Sequence, residues 1–217
     1  MLERYIQDVR TFDAGEEPAA ATRDRLKPRF PAGAARRMTL LGMMVGAMVA
    51  DLIAPEDETI VYSSTFGETL ALADFLDSFP APGPTAFQTS IHPSGAQQGF
   101  IQRQRAVREL LPLAGGAQLA VQAALTAMLA PAARVLWCGG EERGSWLREA
   151  GIASDRSFAF AGVMTRERLP QAIGRIGLKQ TGEAGALDLP AWFDLLHTRQ
   201  SWRGRAGGGW ELQLEWL

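Results

Sequence analysis

Histidine, cysteine and serine carry the chemistry of most hydrolases and acyl transferases, and this chain has few of the first two. It contains two histidines, His92 and His197, and one cysteine, Cys138. A cysteine or serine nucleophile normally needs a histidine base that a third group holds in position. His197 lies near the end of an amphipathic helical pattern and is interpreted as a solvated residue at a helix C-terminus. His92 lies in the loop sequence SIHPSG, where a structural role and a site-lining role are both open.

The possible nucleophiles are one cysteine and a small group of serines. Cys138 lies in the apolar run VLWC, without the helix N-terminus or neighbouring cation that lowers the pKa of a reactive thiol. We therefore interpret it as a buried strand residue. Ser63 and Ser64 lie at the end of a predicted strand, and Ser94 lies close to His92 in the sequence. A serine hydrolase that pairs one of these hydroxyls with His92 is one enzymatic hypothesis.

Acid–base and metal chemistry have little support in the pattern of titratable residues. Glu141 and Glu142 are adjacent, so their carboxylates are expected to point in different directions. We expect them to cap backbone groups or to be solvated, and not to act as a catalytic pair. The histidine, cysteine and acidic residues show no spacing typical of metal ligands. The sequence therefore predicts no metal site.

Two glycine pairs follow apolar runs, Gly115–Gly116 in LAGGAQ and Gly139–Gly140 in CGGEER. Neither pair matches the three spaced glycines of a dinucleotide-binding turn or the Gly-Lys-Ser/Thr ending of a phosphate-binding loop. Paired glycines after a strand more often allow close packing of backbone on backbone. We therefore expect structural glycines and no nucleotide or other cofactor.

The elements that would position these residues alternate between strand and helix. Residues 34–53 have large apolar side chains at helical spacing and small residues on the opposite side, so both faces of this helix should be packed. The other predicted elements are a surface segment over 11–36, a strand over 58–64, a helix over 66–79 with Leu70, Ala73 and Leu76 or Phe75 inward, an ordered loop over 80–95, a short helix in AQQGFIQRQ, a strand over 110–114, a helix over about 116–130, strands in ARVLWCGGEE and over 157–165, a helix over about 189–198 and a final strand WELQLEWL. This alternation indicates an α/β architecture.

Composition and charge narrow the class of protein. The chain has 217 residues, of which 47% are hydrophobic and 21% charged, and its formal net charge of −2 disfavours a nucleic-acid partner. A single cysteine excludes an internal disulfide and fits a reducing compartment. The charged N-terminal sequence MLERYIQDVR does not resemble a signal peptide, and the longest apolar run (38–50) is shorter than the ~20 residues that cross a bilayer. We expect a cytoplasmic protein without a membrane span.

Five motifs occur in a recognisable order: RRMTLLGMMVGAMVADL, YSSTFGETLALADFL, PGPTAFQTSIHPSGAQQGFI, LPLAGGAQLAVQAALTAML and VLWCGGEE. Together they resemble the N-terminal half of β-ketoacyl synthases of the thiolase fold, in particular the divergent synthase-like group of aryl-polyene and related pigment clusters. The resemblance covers residues 35–165. It implies half of a thiolase-like fold, with a mixed sheet flanked by helices and a buried helix after a Gly-Gly elbow. We expect a single domain over 1–217, in which 166–217 is an unassigned extension.

The resemblance also implies what this chain lacks. Gly115 stands where a ketosynthase has its nucleophilic cysteine, and Glu142 matches the glutamate of the Gly-Gly-x-Glu motif. The two catalytic histidines of that family belong to a C-terminal half that has no counterpart here. Condensation needs a thiolate to hold the acyl group and hydrogen-bond donors to stabilise the developing negative charge. The chain is therefore not expected to catalyse condensation by itself.

Chain length factors are cysteine-less relatives of ketosynthases that pair with an active ketosynthase and help to shape the tunnel for the acyl chain. The resemblance implies such a non-catalytic partner in polyketide, aryl-polyene or fatty-acid-like biosynthesis, with the strand Leu110–Ala114 at the subunit interface. The candidate tunnel and interface residues are Phe87, Ser90, His92, Phe100, Leu110, Leu111, Leu113 and Ala114, and the candidate structural glycines are Gly116, Gly139 and Gly140. Ordinary core and loop packing is the alternative explanation for each of them.

Two further matters stay open at this level. A stand-alone structural or acyl-binding module of the same fold would explain the motifs without a ketosynthase partner. Acyl carrier protein, which is acidic in such pathways, is a further partner that the basic residues Arg103, Arg105 and Arg108 could contact. An exposed helix face explains these three arginines equally well.

Overall fold

A mixed β-sheet runs through the computed structural model, which describes residues 1–54, 59–91 and 94–217. The sheet order in this part of the chain is β3-β2-β4-β5-β1-β6-β8-β7. The strands are β1 (Leu2–Gly15), β2 (Thr59–Ser63), β3 (Glu109–Leu113), β4 (Arg134–Glu141), β5 (Ser157–Thr165), β6 (Gly174–Gln180), β7 (Trp202–Gly207) and β8 (Trp210–Trp216). Strands β3, β2 and β4 are parallel, and the remaining pairs are antiparallel.

Helices cover both faces of this sheet. They are α1 (Ala19–Leu26), α2 (Ala32–Ala35), α3 (Leu40–Ala50), α4 (Thr69–Asp77), α5 (Pro84–Ile91), α6 (Ser94–Gln102), α7 (Leu119–Leu129) and α8 (Leu189–His197). One hydrophobic cluster joins α7 and α8 to one face of the sheet, and a second joins α1, α3 and α6 to the other face. The expected α/β architecture with a mixed sheet flanked by helices is confirmed. No helix within the described residues combines the length and apolarity that crossing a membrane requires.

Helix α3 is buried along its whole length, as its sequence predicts. Every residue from Leu40 to Val49 is buried. The helix begins at Leu40 because the Thr39 side chain accepts a hydrogen bond from the Gly42 N–H at 2.9 Å, which caps the first turn. Both large residues such as Met44 and small residues such as Gly46 are buried, so all sides of the helix are packed.

Strand β1 is the largest difference from the sequence-based prediction, which placed no strand before residue 58. The expected surface segment over 11–36 in fact contains the end of β1, together with α1 and α2. An irregularity in the pairing with β5 between Ile6 and Asp8 interrupts the alternation of inward and outward residues. Ile6 and Val9 are therefore both buried although they are three positions apart.

Charged residues further hide β1 in the sequence, and one of them is buried. The Arg4 side chain has no exposed surface and donates hydrogen bonds to the carbonyl oxygens of Ala130 (2.8 Å), Ala132 (3.0 Å) and Ala133 (3.2 Å). Helix α7 ends at Leu129, so Arg4 satisfies carbonyl groups at and just beyond the helix C-terminus. Burial and the neighbouring Arg166 lower the Arg4 pKa to about 10, which leaves the guanidinium charged at neutral pH.

Two other predictions are corrected in the region before β3. The expected ordered loop over 80–95 contains helix α5, which begins at Pro84 because proline is well tolerated in the first turn of a helix. Helix α4 is shorter than predicted, and Ala73 is buried. Of the two alternatives for the other inward residue, Phe75 is half-buried and packs on Phe87, whereas Leu76 is exposed. The strand before the Gly115–Gly116 pair is confirmed as β3, but α7 begins at Leu119 rather than near 116.

Candidate functional site

A pocket of about 260 Å³ lies where β2 and β3 end. Ligands of α/β proteins commonly bind beyond the carboxyl ends of parallel strands, because the loops that follow the strands converge there. The pocket is formed by the loop from β2 to α4, the end of α5 and the end of β3. Its lining residues are Tyr62, Ser64, Thr65, Phe66, Gly67, Glu68, Ser90, Ile91, Pro112, Leu113 and Ala114.

Tyr62 is a buried polar residue beside this pocket. It is only 4% exposed, and its buried hydroxyl has no hydrogen-bond partner among the described residues. Burial and the nearby carboxylate of Glu68 raise the Tyr62 pKa well above its ordinary value. The hydroxyl therefore stays protonated at neutral pH.

Glu141, at the end of β4, holds the loop that forms one wall of the pocket. Its carboxylate accepts hydrogen bonds from the Ser64 hydroxyl at 3.0 Å, from the Thr65 N–H and from the Phe66 N–H at 3.2 Å. The Ser64 hydroxyl in turn accepts from the Gly67 N–H at 2.9 Å. Ser64 is thus committed to ordering this loop, which gives it a structural role.

Glu142 connects two helix N-termini to the sheet. It accepts hydrogen bonds from the backbone N–H of Leu41 at 3.0 Å and of Leu70 at 2.7 Å, in the first turns of α3 and α4. Burial raises the pKa values of Glu141 and Glu142 to about 7. The prediction that the two adjacent carboxylates point in different directions and cap backbone groups is confirmed.

Gly139 and Gly140 lie within β4 rather than after it. A Cβ atom on Gly139 would lie 2.1 Å from the carbonyl oxygen of Ser63 on β2, and one on Gly140 would lie 2.3 Å from that of Phe158 on β5. Backbone therefore packs directly on backbone at both positions. This close packing brings Glu141 and Glu142 to the loop and helix ends that they bind.

The Gly-Gly elbow is less tight than the sequence suggested. Residues 114–118 separate β3 from α7, and Gly115 and Gly116 lie in this connection. A Cβ atom on Gly115 would lie 3.4 Å from Gln122 Oε1 and 3.8 Å from Leu119 Cδ1, and none of the described atoms lies within 4 Å of one on Gly116. A side chain therefore fits at position 115, so glycine is not required there by packing.

Cys138 and His197 do not line this pocket. Cys138 is buried within β4, and burial raises the pKa of its thiol well above the ordinary range, as expected for a buried strand residue. His197 is an exposed residue at the end of α8, where its Nδ1 lies 3.0 Å from Thr11 Oγ1 and its ring stacks on Phe193. His92 lies outside the described residues.

The structure brings three of the predicted tunnel and interface residues together. Ser90, Leu113 and Ala114 line the pocket. Phe100 is buried in the cluster around α3, and Phe87 is half exposed and packs on Phe75 of α4, so both have packing roles. Leu110 packs on the α3 side of the sheet, whereas Leu111 and Leu113 pack on the α7 side.

Sequence reasoning missed Tyr62, Phe66 and Glu68 as members of the site. The signal was present, because YSSTFGE joins the carboxyl end of a predicted strand to a helix, which is where α/β sites form. The explanation of the three arginines as an exposed helix face is also corrected. Helix α6 ends at Gln102, so Arg103, Arg105 and Arg108 belong to the connection before β3 and not to a helix face.

Strand β3 forms one edge of the sheet, and the opposite edge differs from it in charge. Within the described residues β3 pairs only with β2, and Glu109 is its one charged residue. At the other edge β7 contains Arg203, which lies 2.8 Å from Glu211, and Arg205, which forms an ion pair with Glu183. Charged side chains on an edge strand discourage pairing with another chain. The β3 edge lacks this protection.

The architecture is similar to that of solved ketosynthase structures. The fold matches a chain of the complex between the ketosynthase ApeO and its chain length factor ApeC from Xenorhabdus doucetiae, with a TM-score of 0.71, 18% identity and coverage of 99% of this chain and 100% of the other. It also matches a structure of a type II polyketide synthase acyl-carrier protein with its ketosynthase (AntDE:AntF), with a TM-score of 0.59, 12% identity and coverage of 82% and 69% of the two chains. A third match is a β-ketoacyl synthase from Burkholderia phymatum, with a TM-score of 0.56 and 12% identity. This match covers 84% of the present chain and 65% of the synthase.

The fold is therefore that of the thiolase-like ketosynthases, and the architecture that the sequence motifs implied is confirmed. No protein-family model matches the sequence, and no curated protein is significantly similar to it. Within the residues that the structure describes, no three histidine, cysteine or acidic side chains are grouped so that they could hold a metal ion.

Proposed function

We propose that this chain is a non-catalytic, chain-length-factor-like subunit that acts in the cytoplasm with a ketosynthase. The observation that carries the proposal is the end-to-end match of its fold to a chain of a complex between a ketosynthase and its chain length factor. The match covers the N-terminal strand and the C-terminal hairpin as well as the region of the sequence motifs. This supports the view that residues 1–217 form one domain, with 166–217 as part of it.

The residues around the elbow support a non-catalytic role. Gly115 provides no thiol where a condensing enzyme needs one, although the backbone has room for a side chain there. Cys138 is buried in β4 and its thiol pKa is raised by burial, so it cannot supply the thiolate instead. The Ser64 hydroxyl is hydrogen-bonded to the carboxylate of Glu141, which argues against the serine-hydrolase alternative for this residue.

The pocket next to β3 supports a role in shaping an acyl tunnel. Phe66 and Ile91 present exposed apolar surface at the pocket, with exposed fractions of 37% and 62%. In the proposed complex β3 lies against the ketosynthase, and these residues continue the wall of its tunnel. Arg103 and Arg105 are exposed before β3 and, in this proposal, attract the acidic acyl carrier protein that delivers the chain.

Co-expression with the ketosynthase tests the proposal. The tagged chain should co-purify with the ketosynthase, and condensation by that enzyme should require the chain. Ala114→Asp, which adds a charge at the exposed end of β3, should abolish co-purification and condensation. Ala20→Asp is the matched control, because Ala20 is an exposed alanine in α1, outside the sheet and the β3–α7 connection.

The two variants also define the result that would contradict the proposal. Condensation that proceeds equally without the chain, together with failure of the wild-type chain to bind the ketosynthase, would remove the basis for a partner role. Circular dichroism of Ala114→Asp should match that of the wild type, so that loss of binding reports the interface and not the fold.

A further inference from the structure

The open edge of β3 contains a proline, Pro112, at the fourth of its five positions. The Ser64 N–H on the β2 side donates to the carbonyl oxygen of Leu113 at 3.2 Å. Main-chain groups of successive residues in a strand point to opposite sides, so the N–H and C=O groups of Leu111 face β2 as well. Leu110 and Pro112 therefore direct their main-chain groups to the open side. Pro112 is exposed there.

Proline removes one hydrogen-bond donor from this edge, because it has no N–H. An incoming antiparallel strand can donate to the carbonyl oxygens of Leu110 and Pro112. It can receive hydrogen bonds only from the N–H groups of Leu110 and Ala114, on either side of the proline. Pairing with a strand of ordinary residues therefore loses one bond of the ladder, at Pro112 itself.

Pairing of β3 with β3 of a second copy loses more. Each copy contributes Pro112 to the ladder, so two N–H···O bonds are missing. The strand has five residues, and an antiparallel register that pairs most of them includes both prolines. Two carbonyl groups then face the partner strand without a donor, and an unsatisfied carbonyl group at an interface costs more than an absent bond.

We propose that Pro112 is a specificity-determining residue that disfavours self-association through β3 and leaves this edge for a different subunit. The inference rests on the proposed function, which assigns the β3 edge to a ketosynthase. The two edges of the sheet are then protected in different ways. Charged side chains on β7 discourage any strand, whereas Pro112 discourages above all a strand that carries the same proline.

Sedimentation velocity of the purified chain tests this proposal over a range of concentrations. Pro112→Val restores the missing N–H with a residue that favours strands. We expect this variant to self-associate about tenfold more tightly than the wild type, or more, because two bonds are regained in each dimer. Its affinity for the ketosynthase should rise by a smaller factor, about the square root of the increase in self-association, because only one bond is regained in that complex. Pro170→Val, at an exposed proline in the turn between β5 and β6, is the matched control and should behave as the wild type.

Hydrogen exchange locates the contact. In the Pro112→Val dimer the amides of Leu110 and Ala114 should become protected, and Pro112→Ala should give the same pattern with weaker association. The proposal is overturned if the wild type is already a dimer paired through β3. It also fails if Pro112→Val associates no more than Pro170→Val, or if its dimer protects other amides. Failure of every variant to bind the ketosynthase would instead contradict the proposed function, since self-association involves only copies of this chain.

Discussion

The Glu142 carboxylate accepts a hydrogen bond from the backbone N–H of Leu70 at 2.7 Å, although the two residues are 72 positions apart. Its other oxygen accepts from the Leu41 N–H at 3.0 Å. One buried side chain, directly after β4, therefore fixes the N-termini of both α3 and α4. Because α4 follows the loop that forms the pocket, the shape of the pocket depends on this carboxylate.

Replacing Glu142 by glutamine should destabilise the protein by about 1–3 kcal/mol. The amide oxygen can accept one of the two backbone hydrogen bonds, but the NH₂ group cannot accept the other, so one buried N–H is left unsatisfied. Urea unfolding followed by circular dichroism measures the change. Glu149→Gln is the matched control, because Glu149 is exposed, and its stability should stay within about 0.5 kcal/mol of the wild type. Equal stabilities of the two variants would show that Glu142 does not hold the helix ends.

Stability should fall as the pH rises from about 5 to 8. Burial raises the pKa values of Glu141 and Glu142 from 4.5 to about 7. Between these values the native state binds more protons than the unfolded state, so the free energy of unfolding decreases with pH. One carboxyl group whose pKa is raised in this way lowers the free energy of unfolding by roughly 3 kcal/mol as the pH rises through this range.

Urea unfolding at a series of pH values measures this dependence. Glu141→Gln cannot titrate, so its free energy of unfolding should vary less steeply between pH 5 and 8 than that of the wild type. Glu149→Gln should retain the wild-type slope. A wild-type stability that rises over this range would contradict the assignment of raised pKa values to the two buried carboxyl groups.

Removing the Arg4 guanidinium should destabilise the protein by about 1–3 kcal/mol, since the Ala132 carbonyl group loses its donor, whereas Arg166 still donates to the carbonyl groups of Ala130 and Ala133. Arg4→Met retains most of the apolar volume and isolates the loss of the hydrogen bonds. Arg10→Met is the control on the same strand, because the Arg10 side chain is 49% exposed and forms a surface ion pair with Asp8. Thermal unfolding of both variants should show a large decrease in Tm for Arg4→Met alone.

Gly139→Ala should destabilise the protein by about 3 kcal/mol or more, because its Cβ atom would lie 2.1 Å from the Ser63 carbonyl oxygen and β2 and β4 would have to separate. Gly116→Ala is the control, since no described atom lies within 4 Å of a Cβ atom there. Urea unfolding should place Gly116→Ala close to the wild type. A tolerated Gly139→Ala would mean that the strands are not in this close contact.

The parts of the fold that sequence could predict are those in which burial is continuous. Helix α3 and strands β2 and β4 are buried along nearly their whole length, so their apolar runs are visible in the sequence. Strand β1 was missed because a pairing irregularity disrupts its alternation and because Arg4 is buried by contacts with residues 126 or more positions away. Helix α5 was missed because prolines precede and begin it.

The candidate site was predictable at the level of the backbone and much less at the level of side chains. The elbow at Gly115 and the end of β3 follow from strand and helix patterns that are local in sequence. The pocket also depends on Tyr62, Ser64 and Glu68, which are buried polar residues. Burial of polar groups depends on partners such as Glu141, far along the chain, and has no periodic signal.

Gly115→Cys should fold normally and should not create a condensing enzyme. The side chain has room, with 3.4 Å from its Cβ atom to Gln122 Oε1, so the change in stability should stay below about 1 kcal/mol. The new thiol lies in a half-buried connection, whereas Cys138 is buried with a raised thiol pKa. Iodoacetamide at pH 8 should therefore alkylate position 115 much faster than Cys138, as peptide mass spectrometry would measure.

Condensation by the variant alone should remain at background, because a thiol without oriented donors does not stabilise the developing negative charge. Measurable condensation by Gly115→Cys in the absence of a ketosynthase, with Gly116→Cys as the inactive comparison, would overturn the non-catalytic assignment.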